Sequence, residues 1–201
     1  MKPGTQICLG FDGSETDDYT VIRAESVDGF QFTPKFGPND EPTIWDPSKH
    51  GGRIPRLEVA AAIDSLFRRY RVRRMYCDPW KWQTEVETWA MKHGPTVVLP
   101  WETNRVKQMH HALERFRTDL ENGALTHDDC PITADHMANA RKVARPGERY
   151  ILSKPAGAEH QKIDSAVTSV ICHEAAADAR AEGWGVRDAV QRTSTAMYGF
   201  N

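Results

Sequence analysis

The chain has 201 residues, of which 39% are hydrophobic and 27% charged, and its 26 Lys and Arg against 28 Asp and Glu leave a net charge of −2. This composition is typical of one ordinary globular domain, and no apolar run approaches the roughly 18 residues of a membrane span, which excludes a membrane-spanning helix. The balanced charge also counts against a protein coated in positive charge, such as a histone-like nucleic-acid binder.

The first third of the chain is predicted to form a β-meander followed by a helix. Apolar runs bounded by turn residues predict strands over 5–11, 19–25 and 29–36, with Asp28-Gly29 as the turn before the third. A polar loop over 37–55 follows. Apolar residues at helical spacing then predict a helix over 55–70. Its expected buried face consists of Leu57, Ala60, Ala61, Ile63, Leu66, Phe67 and Tyr70.

The remainder of the chain alternates helices with strands. The predicted elements are strands over 72–77 and 96–99, helices over 81–93, 104–122 and 132–140, a β-hairpin over 141–143 and 149–152, and a helix over 161–177. We expect one domain over 1–177 and a tail over 178–201 that is partly ordered at best. This order of elements predicts an α/β fold: a ribonuclease H-like mixed sheet flanked by helices, with an added β-hairpin near the active site.

The cysteines Cys8, Cys77, Cys130 and Cys172 form no C-x-x-C pair. Three of them lie in apolar runs, which indicates buried free thiols in a reducing compartment rather than a disulfide framework. His127, Cys130 and His136 could begin a zinc site, but their spacing fits no standard pattern.

Three aspartates mark the ends of apolar elements. Asp12 ends the first predicted strand, Asp78 ends the strand over 72–77, and Asp164 stands near the start of the last helix. If the two strands are neighbours, Asp12 and Asp78 meet at one end of the sheet, and a helix packed across that end brings Asp164 to them. Each aspartate alone is explained equally well by a turn or a helix start, whereas the three together favour one site.

A cluster of three carboxylates needs a cation or a proton to offset the mutual repulsion of the charges. Carboxylate oxygens select hard divalent ions, here Mg²⁺ or Mn²⁺. Two such ions roughly 4 Å apart can activate a water and stabilise the leaving oxygen of a phosphodiester. The sequence therefore predicts metal-dependent phosphodiester hydrolysis, with Asp12, Asp78 and Asp164 as catalytic and metal-binding residues.

Three motifs resemble the nuclease domain of the large terminase subunit of tailed bacteriophages. They are Gly10-Phe11-Asp12-Gly13-Ser14, Tyr76-Cys77-Asp78-Pro79-Trp80 and Lys162-Ile163-Asp164-Ser165-Ala166-Val167, within a resemblance that spans 5–177. It implies an endonuclease that cuts double-stranded DNA with little sequence specificity during viral genome packaging. The family's three metal-binding acids correspond to Asp12, Asp78 and Asp164. Some relatives place a histidine just before the third acid, whereas here His160 lies further ahead and is expected to be exposed.

The resemblance also implies partners and a location. The partners are double-stranded DNA, the terminase ATPase domain, the small terminase subunit and the portal protein, and the location is the host cell cytoplasm. No G-x-x-x-x-G-K-[ST] phosphate loop occurs in the sequence, so we expect an excised nuclease domain or one half of a split motor, monomeric on its own. Two alternatives stay open. One is another ribonuclease H-like nuclease, such as a junction resolvase or transposase core, and the other is a noncatalytic DNA-packaging or portal-docking module.

Basic residues near the predicted hairpin are expected to contact DNA phosphates beside the acids. They are Arg141, Lys142, Arg145, Arg149, Lys154 and Lys162. Further residues are held in reserve for the site, namely Glu85 and His160, with Asp17, Asp18 and Asp129 as weaker candidates.

The tryptophans are expected mainly in the core. Trp82 and Trp89 share one face of the helix over 81–93. Trp80 follows Asp78 closely enough to border the site, but core packing is the expectation for it as well.

Overall fold

The computed structural model describes residues 1–158 and 160–185 of the chain. The strands are β1 Gln6–Asp12, β2 Thr20–Ser26, β3 Phe30–Phe32, β4 Lys35–Phe36, β5 Glu41–Pro42, β6 Ile44–Trp45, β7 Arg71–Cys77, β8 Val98–Pro100, β9 Thr126–His127, β10 Arg141–Arg145 and β11 Arg149–Ser153. The helices are α1 Arg56–Arg69, α2 Gln83–His93, α3 Val106–Glu121, α4 Pro131–Asn139 and α5 Asp164–Ala181, with a short 3-10 helix at Pro47–His50.

A mixed sheet lies at the centre of the fold. Its strand order is β8-β7-β1-β2-β3-β9, with β6 paired to β2. Strand β2 runs antiparallel to β1 and β3, whereas β7 runs parallel to β1 and β8 parallel to β7. The predicted antiparallel start and parallel extension are therefore confirmed. The predicted hairpin is confirmed too, as the separate two-stranded sheet β10–β11.

Helices cover both faces of the sheet because successive side chains of β1 point in opposite directions. Ile7, Leu9 and Phe11 pack in an apolar cluster with side chains of α1 and α2. Cys8, on the other face, packs in a second cluster with side chains of α3 and α5. The fold therefore has three layers, with helices on each side of the sheet, and β1 is buried in the middle layer.

Helix α5 lies very close to β1. A Cβ atom added to Gly10 would stand 2.6 Å from the backbone nitrogen of Cys172 and 2.7 Å from the carbonyl oxygen of Thr168. Glycine is the residue that permits such an approach of strand and helix. This contact sets the position of α5 relative to the strand that ends at Asp12.

A buried charge network holds the same helix. Glu25 on β2 is fully buried and accepts hydrogen bonds from Arg180 Nη1 at 2.8 Å and from Gln31 Nε2 at 3.0 Å. His173 stands between two carboxylates, with Nδ1 3.0 Å from Glu25 Oε2 and Nε2 2.9 Å from Asp119 Oδ2. Because buried charges require partners, these contacts favour one rotation of α5 against β2 and α3.

The predicted buried face of the first helix was wrong at two positions. Leu57 and Ala61 were expected to be buried, but both are exposed, Leu57 to 89%. The buried residues of α1 are Val59, Ala62, Ile63 and Leu66. These positions form one stripe at helical period, and Leu57 lies outside it.

The last helix begins and ends later than predicted. It spans Asp164–Ala181 rather than 161–177. Trp184, just beyond its end, is buried and donates a hydrogen bond from Nε1 to Gln6 Oε1 at 2.9 Å. Packed structure therefore continues past residue 177, and the rest of the predicted tail, 186–201, lies outside the described residues.

The loop predicted over 37–55 contains short elements that the sequence pattern does not predict. Strand β5 pairs with β4, and β6 pairs with β2. The prediction of free cysteines is confirmed, with three buried and Cys130 partly buried. None of the described helices is long and apolar enough to cross a bilayer.

Candidate metal centre

Asp12 and Asp78 stand side by side at the carboxyl ends of two parallel strands. Phe11 on β1 pairs with Cys77 on β7, and the backbone N–H of Asp78 donates to the Phe11 carbonyl at 2.9 Å. The Thr103 hydroxyl donates to Asp78 Oδ2, and the backbone N–H of Trp80 donates to Oδ1 at 3.2 Å. The structure thus brings these two predicted residues together and holds the Asp78 carboxylate from two sides.

The turn after Asp12 packs directly against a buried tryptophan. Trp82 Nε1 donates to the Ser14 carbonyl at 3.0 Å, and a Cβ atom on Gly13 would lie 2.4 Å from that nitrogen. Glycine at this position therefore lets the turn approach the indole. Trp82 and Trp89 are buried in the core, as predicted. Trp80 is not, because 68% of its side chain is exposed, so the core prediction for it was wrong.

Asp164 is the first residue of α5 and is 8% exposed. The backbone N–H groups of Tyr19 and Asp164 lower the pKa of its carboxyl group, against the larger effect of burial. Its Oδ2 atom is buried without a hydrogen-bond partner among the described residues. A buried carboxylate oxygen with no donor is costly unless a cation or a proton meets it.

Burial raises the pKa of three of the aspartates, and neighbouring acids raise the pKa of Asp12 and Asp164 further. Burial, followed by the charges of Asp164, Asp78 and Asp18, raises the pKa of Asp12 well above its ordinary range. Burial, followed by the charge of Asp18, raises the pKa of Asp164 to about 6. Burial also raises the pKa of Asp78, although the hydrogen bond from Thr103 opposes this. These carboxylates resist being ionised together, which is the electrostatic character of a cation site.

A fourth acid, Asp18, joins the cluster. A cavity of about 220 Å³ is lined by Asp12, Asp18 and Asp164 together with Thr103 and hairpin residues. Asp18 also pairs with two of the predicted DNA contacts, since its Oδ1 accepts from Lys154 Nζ and, at 2.9 Å, from Lys162 Nζ. Although burial opposes it, these two hydrogen bonds lower the pKa of Asp18. From the sequence, Asp18 was only a weaker candidate for the site.

The reserve residues Glu85 and His160 lie outside this cavity. Glu85 lines an open groove of about 720 Å³ beside Asp78, and Arg56 Nη1 donates to its Oε1 at 2.5 Å. His160 is exposed to solvent, as expected. Of the weaker reserves, Asp17 lies at the edge, 3.5 Å from Lys162 Nζ, and Asp129 has a side chain that is 91% exposed.

The basic residues of the hairpin have no acidic partners within the described part of the chain. Arg141 and Lys142 are exposed, and Arg145 and Arg149 are partly exposed. Lys142 Nζ lies 3.7 Å from the centre of the Tyr150 ring. Because residues of β11 line the cavity of the acids, the hairpin places these cations near it.

The donor set fits a hard divalent cation in chemistry. Asp12, Asp18 and Asp164 supply carboxylate oxygens around one cavity, and the unpartnered Asp164 Oδ2 provides an atom that a cation would satisfy. As the side chains stand, however, no group of three His, Cys, Asp or Glu within residues 1–158 and 160–185 is arranged to hold a metal ion. The zinc arrangement considered for His127, Cys130 and His136 is absent for the same reason.

His136 is hydrogen-bonded to the start of α5, next to Asp164, and its protonation is expected to lower the stability of the protein. The ring is 5% exposed, and its Nδ1 accepts the backbone N–H of Ser165 at 3.0 Å at the start of α5. Burial lowers the pKa of His136 to about 4, although the charges of Asp135 and Asp18 oppose this. Between about pH 6.5 and pH 4 the unfolded chain therefore binds a proton that the folded chain does not, so stability falls as pH falls through this window.

We expect the free energy of unfolding of the wild type to drop by about 2–3 kcal/mol more than that of His136→Asn between pH 7 and pH 4.5. Urea titrations at the two pH values measure this difference, and asparagine keeps a hydrogen-bond acceptor for Ser165. His160→Asn, at an exposed histidine, is the matched control and is expected to follow the wild type. Parallel pH profiles for wild type and His136→Asn would refute the role assigned to His136.

Two curated phage proteins are similar to this chain in sequence. No family model matches the chain. The Gene 13 protein of Mycobacterium phage D29 is 30% identical over 188 residues, and that of Mycobacterium phage L5 is 29% identical over the same length. Each match covers 89% of this chain and 30% of the relative, so the chain spans about a third of the length of these curated relatives.

The solved structures decide the fold. The large terminase nuclease from thermophilic phage G20c with bound magnesium superposes with a TM-score of 0.63 at 12% identity, over 86% of this chain and 84% of that one. The chain has the fold of a large terminase nuclease domain. The HK97 bacteriophage large terminase gives a TM-score of 0.61 at 18% identity, over 85% of this chain and 40% of that one. The Thermus phage P74-26 large terminase nuclease domain gives 0.59 at 12% identity, over 84% and 78%.

The terminase nuclease fold confirms the ribonuclease H-like architecture predicted from the sequence. The match to an isolated nuclease covers most of both chains, whereas the match to the HK97 large terminase covers less than half of that protein. The part of a terminase that this chain resembles is thus its nuclease domain.

Proposed function

We propose that this chain is the nuclease domain of a large terminase subunit and cleaves double-stranded DNA with little sequence specificity during viral genome packaging. One observation carries the proposal. Asp12, Asp18 and Asp164 line a single cavity at the end of β1, with Asp78 at the end of the neighbouring strand, in the fold of terminase nucleases. The large terminase nuclease from thermophilic phage G20c, which has that fold, was crystallised with magnesium and also with cobalt, which supports a divalent cation as cofactor.

Asp12, Asp78 and Asp164 would hold two Mg²⁺ or Mn²⁺ ions, with Asp18 as a further carboxylate at the same cavity. When bound, such ions lower the pKa of water and stabilise charge on the leaving oxygen of a phosphodiester. The side chains contribute the rest. Thr103 orients the Asp78 carboxylate, and the Ser165 N–H bound to His136 fixes the helix start that presents Asp164.

DNA is proposed to approach from the hairpin side. Arg141 and Lys142 are exposed there and without carboxylate partners in the described chain, so they remain available for phosphates. Lys154 and Lys162 differ from them, because both are paired with Asp18 at the cavity itself. They are proposed to neutralise charge at the acid cluster and to meet the phosphate nearest to it.

The proposed partners beyond DNA are a terminase ATPase domain, a small terminase subunit and a portal protein, in the cytoplasm of an infected host cell. The supporting observation is the match to a whole large terminase, that of HK97, of which the chain covers 40%. The 201-residue chain alone is proposed to be monomeric and to cut DNA without moving it.

Digestion of a supercoiled plasmid tests the proposal. We expect the chain to cut the plasmid with Mn²⁺ or Mg²⁺ and not with EDTA, and Asp78→Ala to lose the activity. Asp129→Ala is the matched control, because that carboxylate is 91% exposed and away from the cavity. Cleavage of a four-way junction but not of linear duplex would identify a resolvase instead. Absence of cleavage with any metal would refute the nuclease and leave the docking module.

A further inference from the structure

Trp80 is exposed in a chain that buries its other tryptophans. Its side chain is 68% exposed, whereas Trp45, Trp82, Trp89, Trp101 and Trp184 are each 6% exposed or less. All six tryptophans lie in the described part of the chain. Trp80 therefore offers a large apolar face that the described residues leave uncovered.

The backbone presents the Trp80 side chain from a firmly held turn. The Trp80 N–H donates to Asp78 Oδ1 at 3.2 Å, and the Trp82 N–H donates to the Pro79 carbonyl at 2.9 Å. Arg56 Nη2 donates to the Lys81 carbonyl at 2.8 Å, and the same guanidinium lies 4.4 Å from the centre of the buried Trp82 ring. The turn is thus fixed at both ends while the Trp80 ring faces solvent.

The exposed ring belongs to the groove that reaches the candidate metal centre. Trp80 and Asp78 line the same open groove of about 720 Å³. Its charged lining is mixed, with Lys81 and Arg56 as bases and Glu85 and Glu102 as acids, and Arg56 is paired with Glu85. No other aromatic ring or cationic group stacks on Trp80 among the described residues. Its π-face is therefore available, next to a carboxylate of the site and within reach of a strand bound there.

We propose that Trp80 stacks on a nucleobase that has left the duplex beside the phosphate to be cut. This inference rests on the proposed nuclease function and names the form of DNA that the site accepts. Base–indole stacking tolerates any sequence because every base has a π-face. It requires an unstacked base, however, so the site favours duplexes that are already distorted by a mismatch, a gap or a frayed end over intact duplex. Trp80 is a positioning residue in this arrangement.

Tryptophan fluorescence tests the stacking without cleavage. In EDTA, the full chain is titrated with three probes: a dT12 strand, an intact duplex of 20 base pairs, and the same duplex with three central mismatches. We expect dT12 and the mismatched duplex to quench emission more strongly than the intact duplex. Trp80→Phe removes the exposed fluorophore and is expected to abolish this quenching. Equal quenching of wild type and Trp80→Phe, or equal quenching by both duplexes, would overturn the proposal.

Cleavage kinetics with Mn²⁺ give the second readout. We expect Trp80→Ala to raise KM for the mismatched duplex about tenfold with little change in kcat, and Trp80→Phe to restore most of the loss. Met91→Ala is the matched control, because Met91 is 79% exposed on α2 and outside the groove. A Trp80→Ala variant with wild-type KM would overturn the stacking role. If neither the wild type nor any variant cleaves DNA, the proposed nuclease activity is refuted. The fluorescence titration then still decides whether Trp80 stacks on a base.

Discussion

Replacing Asp12 with asparagine is expected to abolish DNA cleavage and, in the absence of divalent ions, to make the protein more stable. The loss of cleavage should be on the order of 10³-fold, because the substitution removes a charge aimed at the reacting centre. The gain in stability follows from electrostatics. Burial and the charges of Asp164, Asp78 and Asp18 raise the pKa of Asp12. Ionisation of this carboxyl group at neutral and alkaline pH therefore costs free energy in the folded protein that it does not cost in the unfolded chain.

The contribution of Asp12 to the stability of the metal-free protein is expected to fall as pH rises. A carboxyl group with a raised pKa in the fold stabilises the protein at acid pH and loses that contribution as pH rises through the folded pKa. Asparagine cannot ionise, so Asp12→Asn should gain most at pH 8, by about 1 kcal/mol or roughly 2–4 °C in Tm. Thermal unfolding in EDTA measures the gain, and plasmid digestion with Mn²⁺ measures the loss of cleavage.

The opposite signs separate a functional acid from a structural one. If Asp12 only shaped the turn at Gly13, replacing it would lower the stability of the protein. Asp129→Asn is the control for both readouts and is expected to change neither, because its carboxylate lies in solvent. A fall in Tm for Asp12→Asn in EDTA would show that the carboxylate serves the fold, and the metal-site assignment would then be abandoned.

Gly10→Ala, at the only glycine of β1, is expected to destabilise the protein strongly. The new Cβ would meet the backbone of α5 at 2.6 Å and 2.7 Å, and a helix backbone cannot yield as a flexible side chain can. Forced separation of strand and helix should lower the free energy of unfolding by about 3 kcal/mol or more, a fall in Tm of roughly 6–12 °C. Thermal or urea unfolding measures it.

The same substitution should impair cleavage below its melting temperature, because it moves the helix that begins at Asp164 away from the strand that ends at Asp12. Gly37→Ala is the matched control. Nothing lies within 4 Å of a Cβ at that position, so only the strain of its φ of 68° is expected, about 1 kcal/mol. If Gly10→Ala were no more destabilised than Gly37→Ala, the close contact of β1 and α5 would not be as tight as described.

Local sequence patterns predict most of the central sheet and its helices. Apolar runs such as Ile7 to Phe11 have one structural outcome when both faces are buried, and turn residues mark their ends. The neighbourhood of Asp12 and Asp78 follows from strand order alone, since both end parallel strands. The short strands at 41–45 escape prediction, because they form through pairing with β4 and β2 rather than through their own composition.

Side-chain placement is less accessible to sequence patterns. Leu57 has helical spacing to the core residues but lies outside the stripe that Ile63 and Leu66 bury. Trp80 was predicted in the core from residue type, yet the turn held by Asp78 and Arg56 directs it to solvent. In both cases the orientation depends on neighbouring elements that the local sequence does not contain.

Asp18 is the clearest omission. Its place in the cluster depends on Lys154 and Lys162, which are distant in sequence and reach it through the hairpin and the start of α5. The available signal was modest: an acid a few residues after Asp12, on the turn that leaves β1 at the site. Only the folded arrangement distinguishes it from Asp17, whose side chain is 85% exposed.

We propose that the acids around Asp12 form a divalent-metal site, and anomalous X-ray scattering from crystals grown with Mn²⁺ locates any bound ions. We expect manganese peaks bounded by the carboxylates of Asp12, Asp78 and Asp164, with Asp18 beside them. Absence of such peaks at saturating Mn²⁺, or peaks confined to other carboxylates such as Asp129, would contradict this assignment.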